Sequence, residues 1–150
     1  CAALATQRGL DEPSITAALF HDFGHLLLDE HDDQTDFLAD DMAHEVAGDD
    51  FLRQCFPEEV TEPIRLHVAA KRYLCSTESD YYDQLSQASK RSFQVQGGNL
   101  SAEEQAEFES NPHLAVAVQL RRMDDESKVR DKAVPDIEVY AEIVSRCQRG

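Results

Sequence analysis

Apolar residues recur at helical spacing along nearly the whole chain, and glycines and prolines separate the resulting segments. Sustained alternation of apolar and polar residues, the pattern of a half-buried strand, is absent from the sequence. This pattern predicts an all-α fold, a bundle of helices. With 150 residues the chain is long enough to bury a substantial core, and residues 1–150 are expected to form a single domain.

Capping residues, prolines and glycines give approximate bounds for the helices. Asp11 and Pro13 are suited to open a helix that continues to within a turn of Gly24. A helix break is expected before Pro63, because proline removes a backbone donor. Residues 29–40 are acidic and are predicted to form a loop. The predicted helices cover residues 1–8, 13–24, 41–54, 57–74, 80–94, 101–110, 112–127 and 135–148.

The formal net charge of −16 argues against a nucleic-acid partner, because the phosphate backbone is repelled by such a surface. Most of this charge is expected on a solvated face. An anionic substrate would therefore need a local group of cations. The sequence offers three basic pairs for this purpose: Lys71-Arg72, Lys90-Arg91 and Arg121-Arg122.

The four cysteines lie far apart and form neither a CxxC pair nor a dense framework. Reduced, mostly buried thiols in a cytoplasmic protein are therefore expected. The longest apolar run is too short for a transmembrane span, so no membrane association is predicted. The cysteines are Cys1, Cys55, Cys75 and Cys147.

Three histidines stand where metal ligands could be: His21 beside Asp22, His44 in the first turn of a helix and His67 in the middle of another. The imidazole and carboxylate of His21-Asp22 can bind one ion from two directions, and the second carboxylate oxygen can bridge to a neighbouring ion. A His-Asp pair alone is weak support, and spacing alone favours His44 as an ordinary helical histidine. The metal interpretation depends on the whole set.

A late acidic pair, Asp124-Asp125, interrupts an otherwise amphipathic helix. Two solvated acids would explain this pair about as well as a ligand would. Together with the His-Asp pair, the pattern favours one member of the pair facing inward to a metal.

Several segments carry a resemblance to a known family. The chain resembles the HD-domain superfamily and, more closely, the mixed-valence diiron oxygenases that cleave organophosphonates, of the 2-amino-1-hydroxyethylphosphonate dioxygenase type. That family places its first histidine ligand upstream of the position of Cys1, so the N-terminal helix of the HD domain is expected to be lacking here. The matching segments are His67–Leu74, Leu85–Lys90, Gln96–Gly98, Arg121–Asp124 and Lys128.

The resemblance implies an HD-domain helical bundle with two iron ions, Fe(II) and Fe(III), as cofactors. His21, Asp22 and Asp124 would bind one iron. Asp22 would bridge to the second iron, and His44 and His67 would complete that site.

The same resemblance implies a substrate pocket. His25 and Lys71 are the residues expected to take part in catalysis as well as in substrate binding. His25 would share a helix face with His21 if that helix continued far enough. A buried cation beside metal ligands suits an anionic phosphonate. The expected substrate-binding residues are His25, Lys71, Ser89, Ser92 and Arg121.

The implied reaction uses O2 to cleave the carbon–phosphorus bond of a 1-hydroxy-2-(amino or trimethylammonio)ethylphosphonate, giving phosphate and glycine or a betaine. A metal-dependent HD phosphohydrolase acting on a small phosphate ester is the alternative, because it would share His21, Asp22 and Asp124. The second histidine pair and Lys71 favour the oxygenase. A non-catalytic regulatory domain would be expected to have lost the His-Asp pair, which is intact here.

Overall fold

The computed structural model describes residues 1–28, 44–129 and 131–149. Every regular element in these ranges is helical, which confirms the all-α prediction. The helices are α1 (Ala2–Gln7), α2 (Glu12–Phe20), α3 (Phe23–Leu27), α4 (His44–Leu52), α5 (Glu58–Thr77), α6 (Tyr81–Gln84), α7 (Gln87–Val95), α8 (Ala102–Ser110), α9 (Leu114–Ser127), a 3-10 turn (Ile137–Tyr140) and α10 (Ala141–Cys147).

Helix α5 is the centre of the bundle. It is 20 residues long and packs against α2, α4 and α9. Val60 and Ile64 on one face of α5 are completely buried, in a core that also takes Leu120 and Met123 from α9. Burying apolar side chains of this size stabilises the fold by roughly 1.5–3 kcal/mol each. This packing brings α2, α4 and α9 to the face of α5 that carries the candidate site.

Helix α5 runs through Pro63, so the predicted break at this residue is wrong. Pro63 is fully buried between Val60 and Ile64, which lie in the core. A proline inside a helix costs about 3 kcal/mol through the lost hydrogen bond and the clash of its ring. Burial of the apolar residues on both sides of Pro63 offsets this cost.

The bounds of two other predicted helices also differ from the structure. Helix α2 ends at Phe20, four residues before Gly24, and a turn at His21-Asp22 separates it from α3, so the predicted helix over 13–24 is interrupted. The predicted helix over 80–94 is divided into α6 and α7, because the Ser86 side chain caps α7 by accepting a hydrogen bond from the Ser89 amide. The predicted loop over 29–40 and the predicted helix start at 41 lie outside the described residues.

The predicted cap at Asp11 is confirmed. The Asp11 carboxylate accepts a hydrogen bond from the Ser14 amide at 2.9 Å and caps α2.

The four cysteines are free thiols, as expected, but Cys55 is exposed and only Cys147 is buried, so the prediction of mostly buried thiols is wrong. Among the described helices, none has the length and apolar character that crossing a membrane requires.

Candidate metal and substrate site

The turn between α2 and α3 carries the His-Asp pair, with His21 buried and the Asp22 side chain partly exposed at the wall of the site. His21 Nδ1 lies 3.1 Å from the carbonyl oxygen of Ala18, which fixes the ring through an Nδ1–H donor. His21 Nε2 then faces two carboxylates, at 3.2 Å from Asp22 Oδ2 and 3.4 Å from Asp124 Oδ1. The three side chains form a group whose ligand atoms all lie within 4.8 Å of one another.

The histidine and the two carboxylates of this first group stabilise one another's charged forms. Burial disfavours the charged form of His21, but the hydrogen bonds to Asp124 and Asp22 outweigh burial and raise its pKa to about 9. Burial likewise acts to raise the pKa of each carboxyl group, and the contact with His21 outweighs it, so both pKa values lie below their usual range. Asp22 and Asp124 are therefore ionised, as metal-binding carboxylates must be.

A second group lies beside the first. His44 is the first residue of α4, His67 lies in the middle of α5, and their Nε2 atoms are 3.1 Å apart. The Ile64 carbonyl, 2.6 Å from His67 Nδ1, orients the His67 ring. Burial, with His44 and His21 close by, lowers the pKa of His67 to about 3, so this imidazole is neutral near pH 7.

Asp22 belongs to both groups. Its Oδ1 is 3.9 Å from His67 Nε2, while its Oδ2 faces His21. Asp22, His44 and His67 also have their ligand atoms within 4.8 Å of one another. Imidazole nitrogens and carboxylate oxygens suit transition-metal ions, and a shared carboxylate can bridge two of them. The donor set therefore fits a pair of adjacent metal ions.

A cavity of about 290 Å³ opens beside the two groups. All five of the predicted substrate-binding residues and four of the five predicted metal ligands line it; His21 lies behind Asp22 and Asp124. The cavity is lined by Asp22, His25, His44, His67, Val68, Lys71, Ala88, Ser89, Ser92, Gln96, Arg121, Asp124 and Lys128.

His25 reaches the cavity by a different route from the one predicted. The helix that precedes His21 does not continue, so the two histidines do not share a helix face. Instead α3 places the His25 ring parallel to the His44 ring, with centroids 4.0 Å apart. Of the three basic pairs, only Lys71 and Arg121 contribute a side chain to the cavity.

Sequence reasoning missed two groups of residues at the site. Lys128 and Gln96 line the cavity, although no role was predicted for them. Lys128 follows Asp124 by four residues, a spacing that places both on one helix face and could have indicated the 2.9 Å ion pair. Tyr81 is buried, and its hydroxyl donates a hydrogen bond to Asp125. No local pattern indicates that contact.

These features define the protein as an all-α domain with two adjoining candidate metal-binding groups beside a cationic pocket. A search of protein-family models gave no match. Similar individual proteins do exist. The chain is 54% identical over 133 residues to a hydroxymethylphosphonate dioxygenase of Gimesia maris, covering 89% of this chain and 66% of that protein.

Two further relatives extend the comparison. A glycine-betaine-forming [1-hydroxy-2-(trimethylamino)ethyl]phosphonate dioxygenase of Leisingera caerulea is 43% identical over 97% of this chain and 74% of its own length. An uncharacterised protein of Acanthamoeba polyphaga mimivirus is 34% identical over 95% of this chain and 66% of its own length. The chain belongs to the family of phosphonate dioxygenases. It spans 66% of the length of the Gimesia maris relative.

Proposed function

We propose that the protein uses O2 to cleave the carbon–phosphorus bond of a 1-hydroxyalkylphosphonate. The carbon–phosphorus bond breaks, one oxygen atom is added to carbon and one to phosphorus, and a carboxylic acid and phosphate are released. The observation that carries the proposal is the pair of metal-binding groups that share Asp22 at the wall of a cationic pocket. The names of two relatives support this reaction class.

The metal ions in this proposal are two irons, in the Fe(II) and Fe(III) states. His21, Asp22 and Asp124 hold one of them, and Asp22 with His44 and His67 holds the other. When bound, the pair supplies the activation of O2 and the redox change that the side chains of this chain cannot supply. The task of the protein is to position the substrate, stabilise its charge and exclude competing reactions.

The phosphonate group binds at the cationic side of the cavity. Lys71 is 2% exposed, and its Nζ donates a hydrogen bond to Ser92 Oγ at 2.6 Å. Arg121 is also buried, at 4% exposure, and Lys128 Nζ lies 3.3 Å from Ser89 Oγ. Cations and hydroxyl donors that converge in this way match the three acceptor oxygens and the negative charge of a phosphonate.

His25 binds the 1-hydroxyl end of the substrate in this proposal. Its ring lines the cavity and is held against His44, a candidate metal ligand. A substrate whose hydroxyl oxygen lies beside the metals therefore comes within reach of His25, which orients that oxygen and exchanges its proton.

The substituent on the hydroxyl-bearing carbon distinguishes the candidate substrates. In the substrate named for one relative, hydroxymethylphosphonate, this carbon carries only hydrogen, and in the substrate named for the other it carries a (trimethylamino)methyl group. Among the described residues that line the cavity, the only carboxylates are Asp22 and Asp124, the two candidate ligands. The described part of the pocket thus contributes no separate anion for an ammonium group. Hydroxymethylphosphonate should therefore be assayed beside the amino and trimethylammonio substrates.

The reaction can be tested with an oxygen electrode and a phosphate assay on the iron-loaded, full-length protein. We expect O2 consumption and phosphate release in a 1:1 ratio with at least one of the three 1-hydroxyphosphonates. Phosphate release under strict anaerobiosis would contradict the oxygenase proposal and would favour a metal-dependent phosphohydrolase.

We place the reaction in the cytoplasm, in keeping with the four free cysteines.

Replacing Lys71 by methionine is expected to weaken substrate binding. Methionine fills similar space but removes a buried charge that pairs with the phosphonate, and a hydrogen bond to a charged group contributes about 1.5–3 kcal/mol. KM should therefore rise roughly 10- to 100-fold, with a smaller change in kcat. Lys90→Met is the matched control, because Lys90 lies on α7 above the ring of Tyr82 and not in the cavity. Equal KM values for both variants would show that Lys71 does not bind the phosphonate.

A further inference from the structure

The Arg121 guanidinium makes contacts on two sides. Nη1 lies 2.9 Å from Asp124 Oδ2. On the opposite edge, Nη2 donates a hydrogen bond to Asp125 Oδ1, and Nε lies 3.1 Å from Asp125 Oδ2. Nε also lies 3.1 Å from the Tyr81 hydroxyl. Arg121 is only 4% exposed, so its orientation is set by these protein groups and not by solvent.

Tyr81 closes this network. It is the first residue of α6, and its ring is buried. The hydroxyl donates a hydrogen bond to Asp125 Oδ2 and accepts one from Arg121 Nε. Burial raises the pKa of Tyr81 above its usual range, so the phenol keeps its proton and remains a donor. Tyr81, Asp125 and Arg121 therefore form a closed triangle of hydrogen bonds.

The triangle determines how Arg121 meets the candidate metal ligand Asp124. An arginine beside a carboxylate favours a fork of two parallel hydrogen bonds, which engages both carboxylate oxygens. Here the two parallel hydrogen bonds go to Asp125, and Asp124 is contacted only by Nη1, at its Oδ2. Lys128 Nζ also lies on Oδ2, at 2.9 Å. The other oxygen, Oδ1, is left facing His21, its neighbour in the metal-binding group.

We propose that Tyr81 and Asp125 are positioning residues that hold Arg121 on Oδ2 of Asp124 and thereby keep Oδ1 open for a metal ion. Without this pair, Arg121 can turn to form the fork with Asp124 and compete with the metal for Oδ1. The inference rests on the proposed function, because it takes Asp124 as a metal ligand. It concerns one of the two ions only, because the group of Asp22, His44 and His67 does not contain Asp124.

The test is an anaerobic calorimetric titration of the full-length protein with Fe(II). In Tyr81→Phe, the affinity of one of the two ions should fall about tenfold or more, the range found when partners that orient metal ligands are removed. The affinity of the other ion should stay as in the wild type. Tyr82→Phe is the matched control: Tyr82 is the next residue in α6, and its ring packs against Phe93 at 5.4 Å.

Asp125→Asn is the second variant and keeps the inference testable if Tyr81→Phe does not fold. Asparagine has the same shape but cannot accept the charged fork, so the same single-ion loss is expected. Unchanged affinities in both variants would overturn the proposal, and so would an equal loss at both ions, which indicates a general structural effect. The titration needs neither O2 nor substrate. A wild-type protein that binds two irons but does not cleave a phosphonate would therefore count against the proposed function and leave this inference standing.

Discussion

Replacing Asp22 by alanine is expected to remove iron from both positions and to lower turnover by more than about 100-fold, beyond the 10- to 100-fold effect of residues that only orient metal ligands. Asp22 is the residue that the two described metal-binding groups have in common. Its Oδ2 lies 3.2 Å from His21 Nε2, and its Oδ1 lies 3.9 Å from His67 Nε2. Under the proposed function each metal would therefore lose a ligand, and the carboxylate shared by the two positions would be lost.

The fold should tolerate this substitution, which separates a metal effect from unfolding. The Asp22 side chain is 54% exposed and caps no helix, although Asp22 occupies the N-cap position of α3. We expect the metal-free variant to fold with a lower melting temperature than the wild type, because Asp22 caps no helix but its carboxylate contacts the buried His21.

The measurement is iron content per chain after reconstitution, together with turnover. Asp83→Ala, at an exposed aspartate of α6, is the matched control and should retain two irons and full turnover. An Asp22→Ala protein that still bound two irons would show that Asp22 is not the bridging ligand.

Local signals in the sequence predicted much of the fold. The cap at Asp11 is confirmed, because it depends on residues within one turn of helix. The end of α2 and the continuity of α5 through Pro63 were not predicted. Both depend on packing against other helices, which overrides local propensity.

The candidate site was predictable only in part. The adjacent His21 and Asp22 give only weak support for a metal by themselves, and spacing alone gave no reason to pair His44 with His67. The Nε2 atoms of these two histidines approach to 3.1 Å because α4 packs against α5. Before the structure, only the resemblance to a known family implied that they act together. The contact of Tyr81 with Asp125 was not predicted, because the two residues are 44 positions apart and no local pattern connects them.

Replacing Gly24 by alanine is expected to displace His44 and to destabilise the protein by about 3 kcal/mol or more, the upper end of the cost of overpacking a core. A Cβ atom at Gly24 would lie 1.8 Å from the carbonyl oxygen of His44 and 2.6 Å from its carbonyl carbon. Both are backbone atoms, so no side-chain rotation relieves the clash. Helix α4 must shift at its first residue, which is the candidate metal ligand.

Gly48→Ala is a graded control in the same contact. Its Cβ atom would lie 3.3 Å from the Gly24 nitrogen and 3.8 Å from a methyl group of Ile64, so a shift of a few tenths of an ångström is sufficient. Denaturant unfolding should place Gly24→Ala well below both the wild type and Gly48→Ala in stability, since alanine at Gly48 also gains helix propensity. Iron analysis of folded Gly24→Ala should show loss of the ion bound by His44 and His67. Full stability with two bound irons would mean that the close approach of α3 to His44 does not position this ligand.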